Sequence, residues 1–158
     1  MKNTNFIGLK ESDCKMIAEK LNILLANYSI FYQNTRGAHW NIKGNDFFTL
    51  HIKFEELYDG LILKIDEIAE RILTLGATPN HNFSDYQKLS SIKESKKVTD
   101  GNKCVLNILD SFKTIIEMQR ELLDITDKAG DEGTNAQISG YITEQEKLVW
   151  MYSAYLGK

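Results

Sequence analysis

The sequence predicts an all-α protein: a four-helix bundle with one long crossover, containing a short helix, between its second and third helices. Three observations predict it. Apolar residues recur every three to four positions over four long stretches, the spacing of one helix face. The first and last breaks between these stretches are short, and the middle one is long. The composition is that of an ordinary globular chain, with 158 residues, 42% hydrophobic and 26% charged, which suits a single domain spanning 1–158.

The first stretch covers about 12–38, with Ile17, Leu21, Leu24, Tyr28, Phe31 and Thr35 as its stripe and Leu25 and Tyr32 widening it. The second covers about 46–75, with Phe47, Leu50, Phe54, Leu57, Leu61, Ile65, Ile68 and Ile72. Gly76 and Pro79 end it. The third covers about 100–128, with Val105, Ile108, Phe112, Ile115, Gln119 and Leu122. The fourth covers about 135–156, with Ile138, Tyr141, Leu148, Tyr152 and Tyr155, and Thr134 with Gln137 reads as its capping box. The links NIKGN and AGDEG are short, so the helices pair as two antiparallel hairpins. The 76–99 connection is too long for a structureless loop in a compact domain, and a crossover along the bundle explains it. Within it SDYQKLSSI reads as a short helix opened by Ser84 and Gln87. KESKK reads as a solvated loop.

Composition also excludes. A net charge of −3 gives no bulk reason for nucleic acid or an anionic membrane as partner. No apolar run is long enough to span a bilayer, and the N-terminus has no apolar signal core. Two cysteines, Cys14 and Cys104, are too few for a disulfide framework, and they read as reduced thiols of a cytoplasmic protein.

The chemistry concentrates on the second stretch. His51 and Glu55 are four residues apart, as are Asp66 and Glu70, so each pair shares a helix face. Eleven residues separate Glu55 from Asp66, close to three turns, which aligns all four in one stripe. His51 and Glu70 lie roughly 28 Å apart along a helix, so one chain cannot gather them. The positions are nevertheless palindromic. Two antiparallel copies about a two-fold axis near Gly60 and Leu61 place His51 opposite Glu70 and Glu55 opposite Asp66, twice over. Gly60 would let the backbones approach there. His39, across the short turn, would fold back toward His51. Each cluster would hold two imidazoles and three carboxylates, a donor set that suits iron, and it lacks the thiolates of structural zinc. Taken singly, each of these residues reads as a solvated carboxylate or a packed histidine; the joint arrangement carries the metal reading. No histidine has a glutamate three residues before it, which argues against a di-iron site within one chain.

The pattern H-W-N-x-x-G-x-x-F-x-x-L-H-x-x-F-E-x-x-Y, followed by D-E-I-A-E-R, resembles the Dps family of mini-ferritins, with a ferritin-like fold. The resemblance extends over almost the whole chain, including GATPNHNFSDY and EQEKLVWMYSAYLG. It implies a hollow homo-oligomeric shell of twelve subunits with ferroxidase sites shared across two-fold interfaces. His39, His51 and Glu55 would come from one subunit and Asp66 and Glu70 from its partner, with Glu55 where the family most often has Asp. The implied activity is oxidation of Fe(II) by hydrogen peroxide and storage of ferric mineral, in protection against oxidative stress. Trp40 would be a candidate electron donor or an interface-packing aromatic, and Glu56 a candidate for mineral nucleation or a solvated glutamate. Two departures stand out. Family members that bind DNA often use a basic tail, whereas this N-terminus offers only Lys2 and Lys10, so DNA binding is expected to be weak or absent. The family's acidic three-fold pores are represented here by Asp131 and Glu132, followed by Asn135, Ala136 and Gln137 where an Asp is common. A DNA-compacting protein with incidental iron chemistry, and a bundle whose metal site is lost, are the competing readings.

Overall fold

A computed structural model describes residues 5–158; Lys2, counted above in the basic tail, lies outside the described residues. The elements in chain order are α1 (Glu11–Asn41), α2 (Phe47–Thr74), α3 (Phe83–Leu89), α4 (Gly101–Ala129) and α5 (Glu132–Tyr155). The four long helices are those the periodicity predicts, α3 is the short helix of the crossover, and no strand occurs among the described residues. α1 packs on α2, α4 and α3, and α4 packs on α5. The core is built from the predicted stripes: Leu24, Tyr28 and Phe31 of α1, Phe54 and Ile68 of α2, Phe112 and Ile115 of α4, and Ile138 of α5 are all buried. Phe31 and Phe112 meet edge to face, 5.1 Å between centroids, across the centre.

One polar cluster sits inside this core. The Tyr28 hydroxyl donates to Gln119 Oε1 (3.4 Å), Gln119 Nε2 donates to Gln145 Oε1 (2.6 Å), and Gln145 Nε2 donates back to Tyr28. The ring joins α1, α4 and α5 and is closed, so three buried groups satisfy one another. Burial holds the Tyr28 phenol well above its ordinary pKa, so it stays a donor.

The helix ends correct two expectations. The fourth long helix begins at Glu132, three residues earlier than the sequence suggested, and its cap is Asp131, not Thr134. The Asp131 carboxylate accepts from Thr134 N (3.0 Å) and from the Thr134 hydroxyl. An ionised cap accepts more strongly than a hydroxyl, and Gly130, at φ 68°, turns the chain sharply enough to leave only Asp131 beyond it before α5. Likewise α3 starts after Asn82 with no side-chain cap; Ser84 lies inside its first turn and Gln87 bonds Glu94 instead. At the end of α2, Gly76 (φ 83°) lets Ala77 N reach Ile72 O and Gly76 N reach Leu73 O, the paired closure that a left-handed residue permits.

The crossover is held by three asparagines of α1. Asn22 accepts from Asn80 N (2.7 Å) and donates to Thr78 O (3.3 Å). Asn34 accepts from Ser95 N (2.8 Å) and donates to Lys93 O (2.9 Å). Each amide thus binds the carbonyl of one crossover residue and the N–H two residues on, as a neighbouring strand would. Asn27, fully buried, accepts from Ser91 N, Ile92 N and the Ser90 hydroxyl. Replacing it leaves buried donors without an acceptor. Asn27→Ala should therefore destabilise the protein by about 2–4 kcal/mol, whereas Asn102→Ala, at an exposed position, should stay within about 0.5 kcal/mol. Denaturant unfolding followed by circular dichroism measures both; equal midpoints would remove Asn27 from this role.

Candidate metal centre

The turn between α1 and α2 sets the site. Lys43 N would continue α1 by bonding the His39 carbonyl, but it bonds Thr99 O at the end of the crossover (3.0 Å). The His39 carbonyl is left as an open helix end, and His51 fills it: His51 Nδ1 lies 2.9 Å from His39 O. The reverse contact also forms, His39 Nδ1 to His51 O at 2.7 Å. The two rings consequently stack at 3.8 Å between centroids and 16° between planes. Phe47 lies flat on His51 (4.9 Å, 19°), and Tyr58 stands edge-on to His39 (5.3 Å, 79°).

This geometry fixes the tautomers. A carbonyl only accepts, so each Nδ1 carries the hydrogen, and in the neutral rings both Nε2 atoms keep their lone pairs. A carbonyl behind the imidazole also orients it, the usual support for a metal-ligating histidine. Periodicity predicted that His39 would approach His51. It did not predict the reciprocal carbonyl contacts, or Phe47 and Tyr58 as the walls of the stack, although Phe47 lies one helical turn before His51 and Tyr58 two turns after it.

Along α2 the charged residues divide sharply. On one side every charge has a partner: Lys53 with Glu56 (2.6 Å), Lys64 with Glu144 (2.7 Å), Glu67 with the Tyr141 hydroxyl, and Arg71 with Asp131 (2.6 Å). On the other, Glu55, Asp59, Asp66 and Glu70 are exposed, and among the described residues their carboxylates take part in no ion pair or side-chain hydrogen bond. Phe48 (80% exposed), Leu63 (65%), Ile52, Ile62 and Leu73 lie on the same side. The palindrome extends to two of them, because Phe48 and Leu73 are as far from its centre as one another. Within one chain, no three His, Cys, Asp or Glu among the described residues converge closely enough to hold a metal ion. The structure thus brings together His39 and His51, places Glu55 a turn beyond them, and leaves Asp66 and Glu70 several turns away.

Three other expectations are corrected or narrowed. Gly60 does not lie on the acidic stripe. Nine residues from His51 it points to the opposite side of α2, where it borders a groove with Leu61, Lys64, Glu144 and Leu148. It cannot ease a contact made through the stripe. Asp131 is buried and bound to Arg71 and Thr134, so it adds no free charge to a pore; Glu132 is exposed. Glu56 is paired with Lys53 and borders the same groove as Gly60. Trp40 is 58% exposed, with the Arg36 guanidinium 4.8 Å from its ring.

Residues 18–158 match the family model of the ferritin-like domain. The chain is 53% identical to an uncharacterized protein of Haemophilus influenzae, over 94% of this chain and 92% of that one. It is 42% identical to the DNA protection during starvation protein of Porphyromonas gingivalis, over 96% and 95%. The crystal structure of a Dps protein from Vibrio cholerae, described as a member of a broad superfamily of ferritin-like diiron-carboxylate proteins, superposes with a TM-score of 0.96 at 52% identity. It covers 99% of this chain and 98% of that one.

The tautomer assignment is directly measurable. In protein carrying ¹⁵N-labelled histidine without metal, the neutral rings of His39 and His51 should be in the tautomer protonated on Nδ1, with exposed His81 as the internal reference. Protonation on Nε2 of either ring would contradict the site as described.

Proposed function

The chain belongs to the Dps family of the ferritin-like superfamily, and from that premise we propose that it is a ferroxidase and iron store that consumes hydrogen peroxide. The observation that carries the reading is the contrast on α2: paired charges on one side, and on the other four free carboxylates, Glu55, Asp59, Asp66 and Glu70, in line with an imidazole pair whose Nε2 atoms are open. Leaving four carboxylates and a row of large apolar side chains exposed on one helix face serves no single-chain purpose. A second copy related by a two-fold axis covers the apolar row and completes the ligand set.

In this reading His39, His51 and Glu55 of one subunit and Asp66 and Glu70 of a second copy bind Fe(II), which is the substrate. Two Fe(II) give one electron each to one peroxide; its O–O bond breaks and, with two protons, two waters form. Anionic oxygen ligands favour Fe(III) over Fe(II), which supplies the driving force on the protein's side. Paired delivery of electrons avoids releasing hydroxyl radical. Glu55, where Asp is common, keeps the charge and reaches further from the helix. We place the product, ferric mineral, inside a closed shell of twelve subunits, in the cytoplasm, where the two free cysteines remain reduced.

The intersubunit site has a distinctive test. His51→Ala and Asp66→Ala should each abolish fast peroxide-driven oxidation of Fe(II), followed by ferric absorbance. Dissociated and reassembled together, they should recover activity at about a quarter of the sites, since half the interfaces are mixed and each mixed interface has one intact site. A site within one chain gives no recovery.

The relative from P. gingivalis carries DNA protection in its name. For this chain, a net charge of −3 offers little to neutralise phosphates, and we propose weak or absent DNA binding. Gel mobility at about 0.15 M salt should show no retardation; a stable retarded band would restore the nucleoid-binding reading.

A further inference from the structure

Residues 5–9 form a knuckle of their own before α1, and Asn5 holds it. Its side-chain oxygen accepts from Ile7 N (3.3 Å) and Leu9 N (3.2 Å), and its amide donates to Cys14 Sγ (3.1 Å). The main chain closes the turn, with Asn5 N donating to Leu9 O (3.2 Å) and Gly8 N to Asn5 O (3.0 Å). Gly8 sits at φ 81°, the left-handed region that favours glycine. Leu9 packs on the core, while Phe6 is fully exposed and Ile7 is exposed beside it. A turn tied this firmly, only to hold a bare aromatic ring in water, gains nothing within one chain. Ordered aromatic anchors of this kind are what interfaces use.

Two registers place the knuckle. Cys14, its anchor, precedes Tyr32 by eighteen residues, a whole number of helical turns, so both lie on one side of α1. That side meets α2, where Tyr32 touches Tyr58. The two helices run antiparallel, with His39 beside His51 and Tyr32 beside Tyr58. The knuckle is therefore level with the last turn of α2, which carries exposed Leu73. In the two-fold pairing Leu73 stands opposite Phe48 of a second copy, so the knuckle arrives beside that copy's α1–α2 turn. The turn is equally bare, with Phe48 and Trp40 both exposed. The charges also complement. Glu11 in the first turn of α1 and Lys43 in the α1–α2 turn are exposed, and among the described residues neither takes part in an ion pair.

We propose that the 5–9 knuckle is a clasp between copies of this chain: Phe6 and Ile7 of one copy pack on Phe48 in the α1–α2 turn of a second, with Glu11 against its Lys43. The inference rests on the two-fold pairing of α2 proposed above. A two-fold axis makes the contact twice, once at each end of the interface. Phe48 precedes His51 by three residues, so each clasp lies one helical turn from a histidine pair. It closes the outer end of that ligand cluster against water. A knuckle never covers its own histidines, because α1, 31 residues or roughly 45 Å long, separates the two within one chain.

Photo-crosslinking tests this. The photoreactive residue p-benzoylphenylalanine in place of Phe6 keeps an aromatic ring at an exposed position, so folding is not at stake. Irradiation of the assembled protein should join two chains, and peptide mass spectrometry should find the link on residues 40–49. One chain cannot make that link, so it reports the neighbour. Asn5→Ala, which frees the turn, and Glu11→Lys, which sets like charges together, should each lower its yield severalfold with the circular dichroism unchanged. No link, a link within the chain, a link to another surface of a neighbour, or a yield indifferent to Asn5→Ala overturns the clasp. Mixing His51→Ala with Asp66→Ala then separates the two readings. Recovered oxidation leaves the two-fold pairing standing and removes only the clasp; no recovery removes both.

Discussion

The rigidity of α2 is the constraint on which the site depends. A helix advances about 1.5 Å per residue and cannot fold back, so the candidate ligands spread over its length stay spread. His51 and Glu70 belong to one face and never to one place within a chain. That separation explains why a domain with a well-filled core still leaves Phe48, Leu63 and four carboxylates uncovered along a single stripe. The rest of the fold acts to hold this helix still. The hydrophobic contacts with α1 fix it on one flank, while Lys64–Glu144, Glu67–Tyr141 and Arg71–Asp131 tie its other flank to α5.

Polar groups specify the arrangement that apolar burial makes stable. The closed ring of Tyr28, Gln119 and Gln145 can form in only one register of α1, α4 and α5, because a slip of one residue would strand three buried groups. Arg71 has a similar role at the bundle's end. It spans the Asp131 carboxylate and the Thr134 hydroxyl and lies against Gly133, where an added Cβ would come within 3.0 Å of the guanidinium. The cap of α5 is therefore also the anchor of α2.

Much of this was legible in the sequence because it is periodic. Four apolar stripes gave four helices, and the lengths of the breaks gave their order. The alignment of His51, Glu55, Asp66 and Glu70 is likewise arithmetic on a helix, and the approach of His39 follows from a short turn. What escaped was set by tertiary geometry. The capping residues were misplaced because Thr134–Gln137 and Asp131–Thr134 both satisfy local cap chemistry, and Arg71, sixty residues away, decides between them. Gly60 was put on the wrong side of α2 by counting along the helix rather than around it. Nothing local distinguishes Asn22, Asn27 and Asn34 from solvated helix residues, since their partners lie more than fifty residues on. The whole-chain resemblance reaches the family but says nothing of the reciprocal carbonyl contacts that orient the two imidazoles.

The three asparagines bear on how the crossover can change over time. Their bonds go mainly to main-chain atoms: the carbonyls of Thr78 and Lys93 and the N–H groups of Asn80, Ser91, Ile92 and Ser95. Every residue but proline has that N–H, and all have the carbonyl. The segment's path is thus written in α1, and its own side chains are largely released from the task of holding it. Mutational drift can rewrite the outer surface along 78–95 while the bundle beneath it keeps its shape, so this strip is where lineages of the fold can diverge in what they present to their surroundings.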